Sequence, residues 1–353
     1  MANVCATGAP TVVRPAKLWG VDANYVAAFE DAGGEWRVDG ANVDPIATLK
    51  AHGANVFRLR IWVENQPGNL EPGTLADARP LARRAQAAGL YVIPTLFMSK
   101  GWGADSSQDA PLHWGSLSLA DRAAAARQWA AEATRQLRTD GIQTRTYGIG
   151  NETDYGFCGV FQMTSDLGVL RQTIWPQAAT LMKATIQGIE EAAGRTDLEF
   201  ILHISRGHDT ELALAFFETM RNQGVKVSLA GLSYYPSSWG QSGHDQFDVT
   251  VSRLHSELGL RVFVPEYAYP AESRWSGWNH AIAGYPLDEA GQAKFVRDLR
   301  SRVFTDSRFE GAIYWTPEEA LTDADWSVMG LFVPSPDRKS PAARAALDAL
   351  GGN

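Results

Sequence analysis

Short runs of apolar, β-branched and aromatic residues recur along the 353-residue chain, and each is followed by a stretch whose apolar residues return at helical spacing. The runs at 17–22, 54–62, 90–97, 144–152, 198–204, 227–235, 262–266 and 311–315 predict strands. The stretches at 44–53, 75–88, 118–137, 167–193, 210–221, 247–258, 287–303 and 341–350 predict the helices between them. Helix ends are marked in the residues themselves: Asp44-Pro45 opens one, Ser118 another, and Gly53 and Gly89 close two. Strict alternation of strand and helix, with no Pro- or Ser-rich linker, predicts one α/β domain, a single (β/α)8 TIM barrel. It spans 17–353 after an N-terminal extension at 1–16.

The pattern also shows where polar residues interrupt it. In the second strand, alternation puts Arg58, Arg60 and Trp62 on one face and Phe57, Leu59 and Ile61 on the other, and two arginines on a barrel strand demand anionic partners. The loop after the third strand carries Ser99, Trp102, Asp105 and Trp114 and is long enough to bind rather than merely connect. Two buried strands end abruptly in an acid, Tyr147-Gly-Ile-Gly-Asn-Glu152 and Arg261-Val-Phe-Val-Pro-Glu266. A carboxyl at the rim of an apolar strand is partly desolvated, which lets it keep a proton near neutral pH. Either Glu alone reads equally well as a loop cap. The pair points to a retaining glycosidase, with carboxyl groups roughly 5 to 5.5 Å apart. Active sites of such barrels sit at the strand C-termini. Here those ends collect Asp22, Arg58 to Trp62, Thr95 to Ser99, Asn151-Glu152, His203, Tyr234-Tyr235, Glu266 and Trp315, a set no apolar core requires.

Composition narrows the partners. A net charge of −8 disfavours nucleic acid and anionic membranes, and no apolar run approaches the length of a membrane span. A neutral polymer is indifferent to that charge. Twelve Trp are many for this length, and flat rings with one polar edge suit sugar faces, although buried Trp is the commoner case. Cys5 and Cys158 are too few for a disulfide scaffold or a zinc site, but an extracellular protein would join them in one bridge. The first residues lack the basic start and apolar stretch of a secretory signal.

With these residues in view, the chain resembles glycoside hydrolase family 53, the arabinogalactan endo-β-1,4-galactanases. The likeness rests on Phe57-Arg-Leu-Arg-Ile-Trp62, Ile149-Gly-Asn-Glu152, Leu232-Ser-Tyr-Tyr-Pro236, Glu266-Tyr-Ala-Tyr-Pro270, Tyr285-Pro-Leu-Asp-Glu-Ala-Gly-Gln292 and Ile313-Tyr-Trp-Thr-Pro317, in family order. It implies that Glu152 is the acid/base and Glu266 the nucleophile. Asn151 is expected to bond the sugar 2-OH, Arg58 and Tyr234 to lower the pKa of Glu266, and Trp315 to floor the reacting sugar. His203, Trp102 and Trp239 complete the expected substrate-binding set. The implied protein is a secreted or periplasmic monomer acting on a polysaccharide, without cofactor or metal. Asp323 and Asp325 read as solvated loop residues rather than a calcium site.

The chain departs from the family after the third strand, where Thr95-Leu-Phe-Met-Ser-Lys100 replaces Asp-Phe-His-Tyr-Ser-Asp, and after the eighth, where Thr316 replaces a Glu. Lost polar contacts and an apolar wall at Phe97 predict weaker action on linear galactan than on some other β-glycan. The alternatives are a same-fold glycosidase of shifted specificity or exo action, and a carbohydrate-binding protein without turnover.

Overall fold

A computed structural model describes residues 12–68, 71–318, 325–333 and 340–352. The eight barrel strands are β1 (Leu18–Asp22), β2 (Val56–Ile61), β3 (Tyr91–Leu96), β4 (Thr146–Ile149), β5 (Glu199–Ile204), β6 (Leu229–Leu232), β7 (Arg261–Tyr267) and β8 (Phe309–Trp315). They close in the order β1-β8-β7-β6-β5-β4-β3-β2, all parallel. Each is buried along nearly its whole length, because helices cover the outside while side chains fill the lumen. The lumen's lower layer is a small apolar cluster of Leu18, Val56, Ile93, Ile201, Phe263 and Ile313. Glycine allows the closest strand approach: a Cβ on Gly311 would stand 2.0 Å from the Leu18 carbonyl oxygen.

The helices are α1 (Pro45–Ala51), α2 (Leu75–Ala87), α3 (Leu119–Thr139), α4 (Trp175–Ala193), α5 (Thr210–Asn222), α6 (Pro236–Leu258), α7 (Glu289–Thr305) and the single turn α8 (Ala346–Ala349). Asp44 caps α1 by accepting from the Ala47 N–H at 2.8 Å, and Pro45 starts it without a wasted donor. Below the barrel, Arg14 ties the strand starts together through Glu199 at 2.6 Å and through Glu310.

Four features differ from the sequence expectation. The stretch at 23–43 forms a short helix, Val26–Asp31, and two strands, Trp36–Val38 and Ala41–Val43, which join Phe332–Val333 and Ala342–Ala343 in a separate four-stranded sheet. That pairing also shortens the expected last helix, since 342–343 is strand. The helix at 167–193 carries a π-helical stretch, Leu170–Ile174. It brings Trp175 round so that its indole donates to the Asp154 carbonyl at 2.8 Å and pins the turn after β4. The sixth helix begins at Pro236 instead of 247, with a break at Gly240 (φ 72°, ψ −175°) just after Trp239. Apolar periodicity misses this first segment because it is rich in Ser and Gly and faces the barrel mouth.

Candidate active site

Glu152 follows β4 through Gly150, whose φ of 75° suits glycine, and itself takes a left-handed φ of 45°. A side chain held in that region is costly and is commonest where function requires it. Glu266 emerges differently. Between β7 and β8 the register slips from Val264↔Ala312 to Tyr267↔Tyr314, so β7 carries one extra residue at Pro265-Glu266. Pro265 has no N–H to lose at such an irregularity, and the bulge turns Glu266 into the lumen.

Both acids line one cleft of about 650 Å³ at the strand C-termini. Arg58 organises its floor. Its Nη1 donates to Asp22 at 2.8 Å and to Glu266 Oε1 at 2.9 Å, and its Nη2 to Asn151 Oδ1 at 2.5 Å. Arg60 reaches Asp22 at ion-pair distance, 3.0 Å, so the two arginines of β2 face two carboxylates. Burial is the main influence on both glutamates. Glu152 is raised well above the usual carboxylate range by desolvation, then by the charges of Glu266, Asp105 and Asp154. Glu266 is also raised by burial, but Arg58 and the Tyr235 hydroxyl pull it back. The expectation of a lowered Glu266 pKa is therefore corrected, because desolvation outweighs its two partners. The pair is still biased unequally, with the stronger upward push on Glu152.

Tyr234 is a second correction. Its hydroxyl meets His244 Nδ1 at 2.6 Å outside the barrel, and its ring stacks on Phe247 at 4.2 Å. The next residue, Tyr235, donates to Glu266 Oε2 at 3.0 Å. β6 ends at Leu232, so period-two alternation no longer decides which tyrosine faces the lumen.

The other expected residues divide between cleft and support. Trp102, Trp239 and Trp315 line the cleft, with Trp315 edge-on to Trp326 at 4.3 Å and to Trp102 at 5.9 Å. Asn151 and His203 lie beneath it, buried: His203 Nδ1 is 3.0 Å from Asn151 Oδ1, and Nε2 is 2.8 Å from Ser233 Oγ. Phe97 is a third correction. It is buried between Trp62 and Trp102, with the Arg58 guanidinium 5.9 Å from its ring, and forms no wall of the cleft. Thr95 and Thr316 are likewise buried and absent from the cleft lining, whereas Lys100, also a replaced position, is half-buried and pairs with Asp109 at 3.2 Å.

Sequence reasoning passed over several participants. Ser233 Oγ lies 2.7 Å from Glu152 Oε1, and Gln108 donates to the Asn151 and Glu152 carbonyls at 2.7 and 3.2 Å. Asp105, in the loop that the sequence already marks as a binding loop, accepts from Ser205, which also touches Asp154, a buried acid raised to about 6 mainly by desolvation. Trp278 and Trp326 complete the aromatic side. Ser233 was the findable one, since it stands inside a quoted motif at a strand end.

Among the described residues, no group of three or more His, Cys, Asp or Glu is arranged to hold a metal ion. Asp323 and the side chain of Asp325 lie outside the described residues, as does Cys5, while Cys158 is buried beside the loop after β4. No helix among the described residues is long and apolar enough to cross a membrane.

The sequence profile of glycosyl hydrolase family 53 matches residues 18–332. A probable arabinogalactan endo-β-1,4-galactanase A from Aspergillus terreus is 26% identical over 94% of this chain and 94% of its own. An endo-β-1,4-galactanase from Bacillus subtilis is 26% identical over 84% of this chain and 69% of its own. Among solved structures, a fungal β-1,4-galactanase superposes with a TM-score of 0.81 at 22% identity, covering 95% of this chain and 99% of that one. The family 53 catalytic domain from Ignisphaera aggregans gives 0.80 at 22%, covering 97% and 99%.

Proposed function

Because the chain belongs to glycosyl hydrolase family 53, we propose that it is a retaining endo-β-1,4-galactanase in which Glu266 is the nucleophile and Glu152 the acid/base. The observation that carries the roles is the difference between the partners of two buried acids. Glu266 receives a guanidinium and a phenol hydroxyl, the partners of an anion, whereas Glu152 is surrounded by other carboxylates that favour its protonated form.

In the first step Glu266 attacks the anomeric carbon while Glu152 gives its proton to the departing oxygen. In the second, Glu152 takes a proton from water, whose oxygen displaces Glu266. Arg58 orients the nucleophile and, through Asn151, the floor beside it. One hydrogen of the Asn151 amide is taken by the Gly103 carbonyl at 2.8 Å, leaving the other for the sugar 2-OH. Trp315 forms the apolar floor of the reacting sugar, and Trp102, Trp326 and Trp239 extend the stacking surface to either side.

The galactan assignment draws on the named activities of the curated relatives. Phe97, Thr95 and Thr316 do not line the cleft, which weakens the reason to expect lost substrate contacts at those positions. A polymer does not cross a bilayer, so the enzyme meets its substrate outside the cytoplasm. Incubation with linear β-1,4-galactan, arabinogalactan, mannan, xylan and β-glucans, followed by sizing of the products, tests this reading. It predicts short galactooligosaccharides from galactan; preferred release of fragments from another polymer would overturn it.

A further inference from the structure

The hydrogen bonds below Glu152 fix where each proton lies. Asn151 Oδ1 accepts from Arg58 Nη2, and the Asn151 amide nitrogen donates to the Gly103 carbonyl. A guanidinium cannot accept and a carbonyl cannot donate, so the amide is oriented from both ends. His203 Nδ1, 3.0 Å from that Asn151 oxygen, must therefore carry a hydrogen. Burial and the nearby Arg58 charge hold His203 well below its usual pKa, so the ring is neutral and Nε2 is bare. Ser233 Oγ, 2.8 Å from Nε2, gives it the only hydroxyl hydrogen. The same oxygen lies 2.7 Å from Glu152 Oε1 and has nothing left to donate there. That contact is satisfied only when the hydrogen comes from Glu152.

We propose that Ser233 and His203 are positioning residues that hold the proton on Glu152, at the end of a one-directional hydrogen-bond chain set by Arg58 and Asn151. The proposal rests on the acid/base role of Glu152. When Glu152 releases its proton to the departing oxygen, the Ser233 hydroxyl can turn to the new carboxylate only by abandoning His203 Nε2. The chain thereby favours return of the proton from the incoming water. It also explains why a histidine is buried at the end of β5 without lining the cleft.

Other groups facing Glu152 are Glu266 on β7, Asp105 in the loop after β3, Asp154 beyond β4 and the Tyr235 hydroxyl at the start of α6. Arg58 on β2 faces the same network through Glu266 and His203. Ser233 is neutral, so replacing it leaves all these charges in place. A shift in the titration of Glu152 then reports the hydrogen bond itself.

The test is the pH dependence of kcat/KM on linear β-1,4-galactan for the unmodified enzyme, Ser233→Ala, Ser233→Thr and His203→Asn. Ser233→Ala and His203→Asn are expected to lower the alkaline limb by about one pH unit, the size of one hydrogen bond lost from the protonated form, and Ser233→Thr to restore it. A limb unmoved in a folded Ser233→Ala or His203→Asn overturns the proposal. The assignment of the limb is checked separately with the 2,4-dinitrophenyl glycoside of β-1,4-galactobiose, whose leaving group needs no proton. The limb should vanish with this substrate. If it persists, Glu152 is not the acid, and the proposal falls with that reading.

Discussion

The Tyr235 hydroxyl donates to Glu266 Oε2 at 3.0 Å, while Tyr234 points out of the barrel to His244. Tyr235→Phe is expected to lower kcat/KM on galactan by roughly 10- to 100-fold, the worth of a hydrogen bond to a charged group. Tyr234→Phe should leave turnover nearly intact and cost about 1 kcal/mol of stability, since one buried hydrogen bond is lost. Steady-state kinetics and thermal denaturation of the two variants check this. The reverse pattern would restore Tyr234 to the site.

Arg58 is the only cation within hydrogen-bond reach of Glu266 among the described residues, and it also holds Asp22. Arg58→Ala leaves two buried carboxylates facing each other and should cost about 3 to 5 kcal/mol of stability, with loss of turnover. Arg58→Lys should keep much of the stability but little activity, because one ammonium cannot reproduce the contacts with Asp22, Glu266 and Asn151 together. Denaturant midpoints and kcat for both variants decide it.

Glu318 accepts from the Tyr25 N–H at 2.9 Å but is otherwise buried, and desolvation raises it to about 8. Its folded pKa lies above its unfolded value, so the folded protein binds the extra proton. Stability from this group is present below the unfolded pKa and declines as pH rises toward 8. Glu318→Gln should remove that decline. The variant is then expected to gain on the unmodified protein in melting temperature between pH 5 and pH 8, and an identical pH slope in both proteins would refute the assignment.

Phe97→His buries a polar ring between Trp62 and Trp102, at a cost of about 1 to 3 kcal/mol. Because Phe97 does not reach the cleft, the preference for galactan over other β-glycans should stay as it is. A changed preference, measured as the ratio of kcat/KM values on two polymers, would place this side chain back among the specificity determinants.

Much of this site was readable before any coordinates. Apolar runs that end in Asn151-Glu152 and in Glu266 announce buried strands with functional tips, because no core uses an acid there. Arg58 announced its anionic partners by alternation. The pair Tyr234-Tyr235 stands at the rim in the sequence, but which of the two meets Glu266 is not legible, because β6 stops at Leu232 and the chain turns into Pro236 before the tyrosines can alternate. The placement of Phe97 is not legible, because its position in the family motif does not reveal which way the side chain faces, and the left-handed turn at Met98 that follows it is not written in any apolar pattern. The small sheet was hidden for a different reason: each strand has only two or three residues, and the pairing that joins its two halves, Ala342 with Arg37, spans some three hundred positions.

The central claim, double displacement through Glu266, is tested most directly by trapping the intermediate. A 2-deoxy-2-fluoro β-1,4-galactobiosyl donor with a good leaving group slows the second step more than the first, so the glycosyl enzyme accumulates and its peptides can be sequenced by mass spectrometry. The account predicts one added disaccharide per chain, attached to Glu266. A label on Glu152 or another residue, or turnover with inversion and no label, would contradict it.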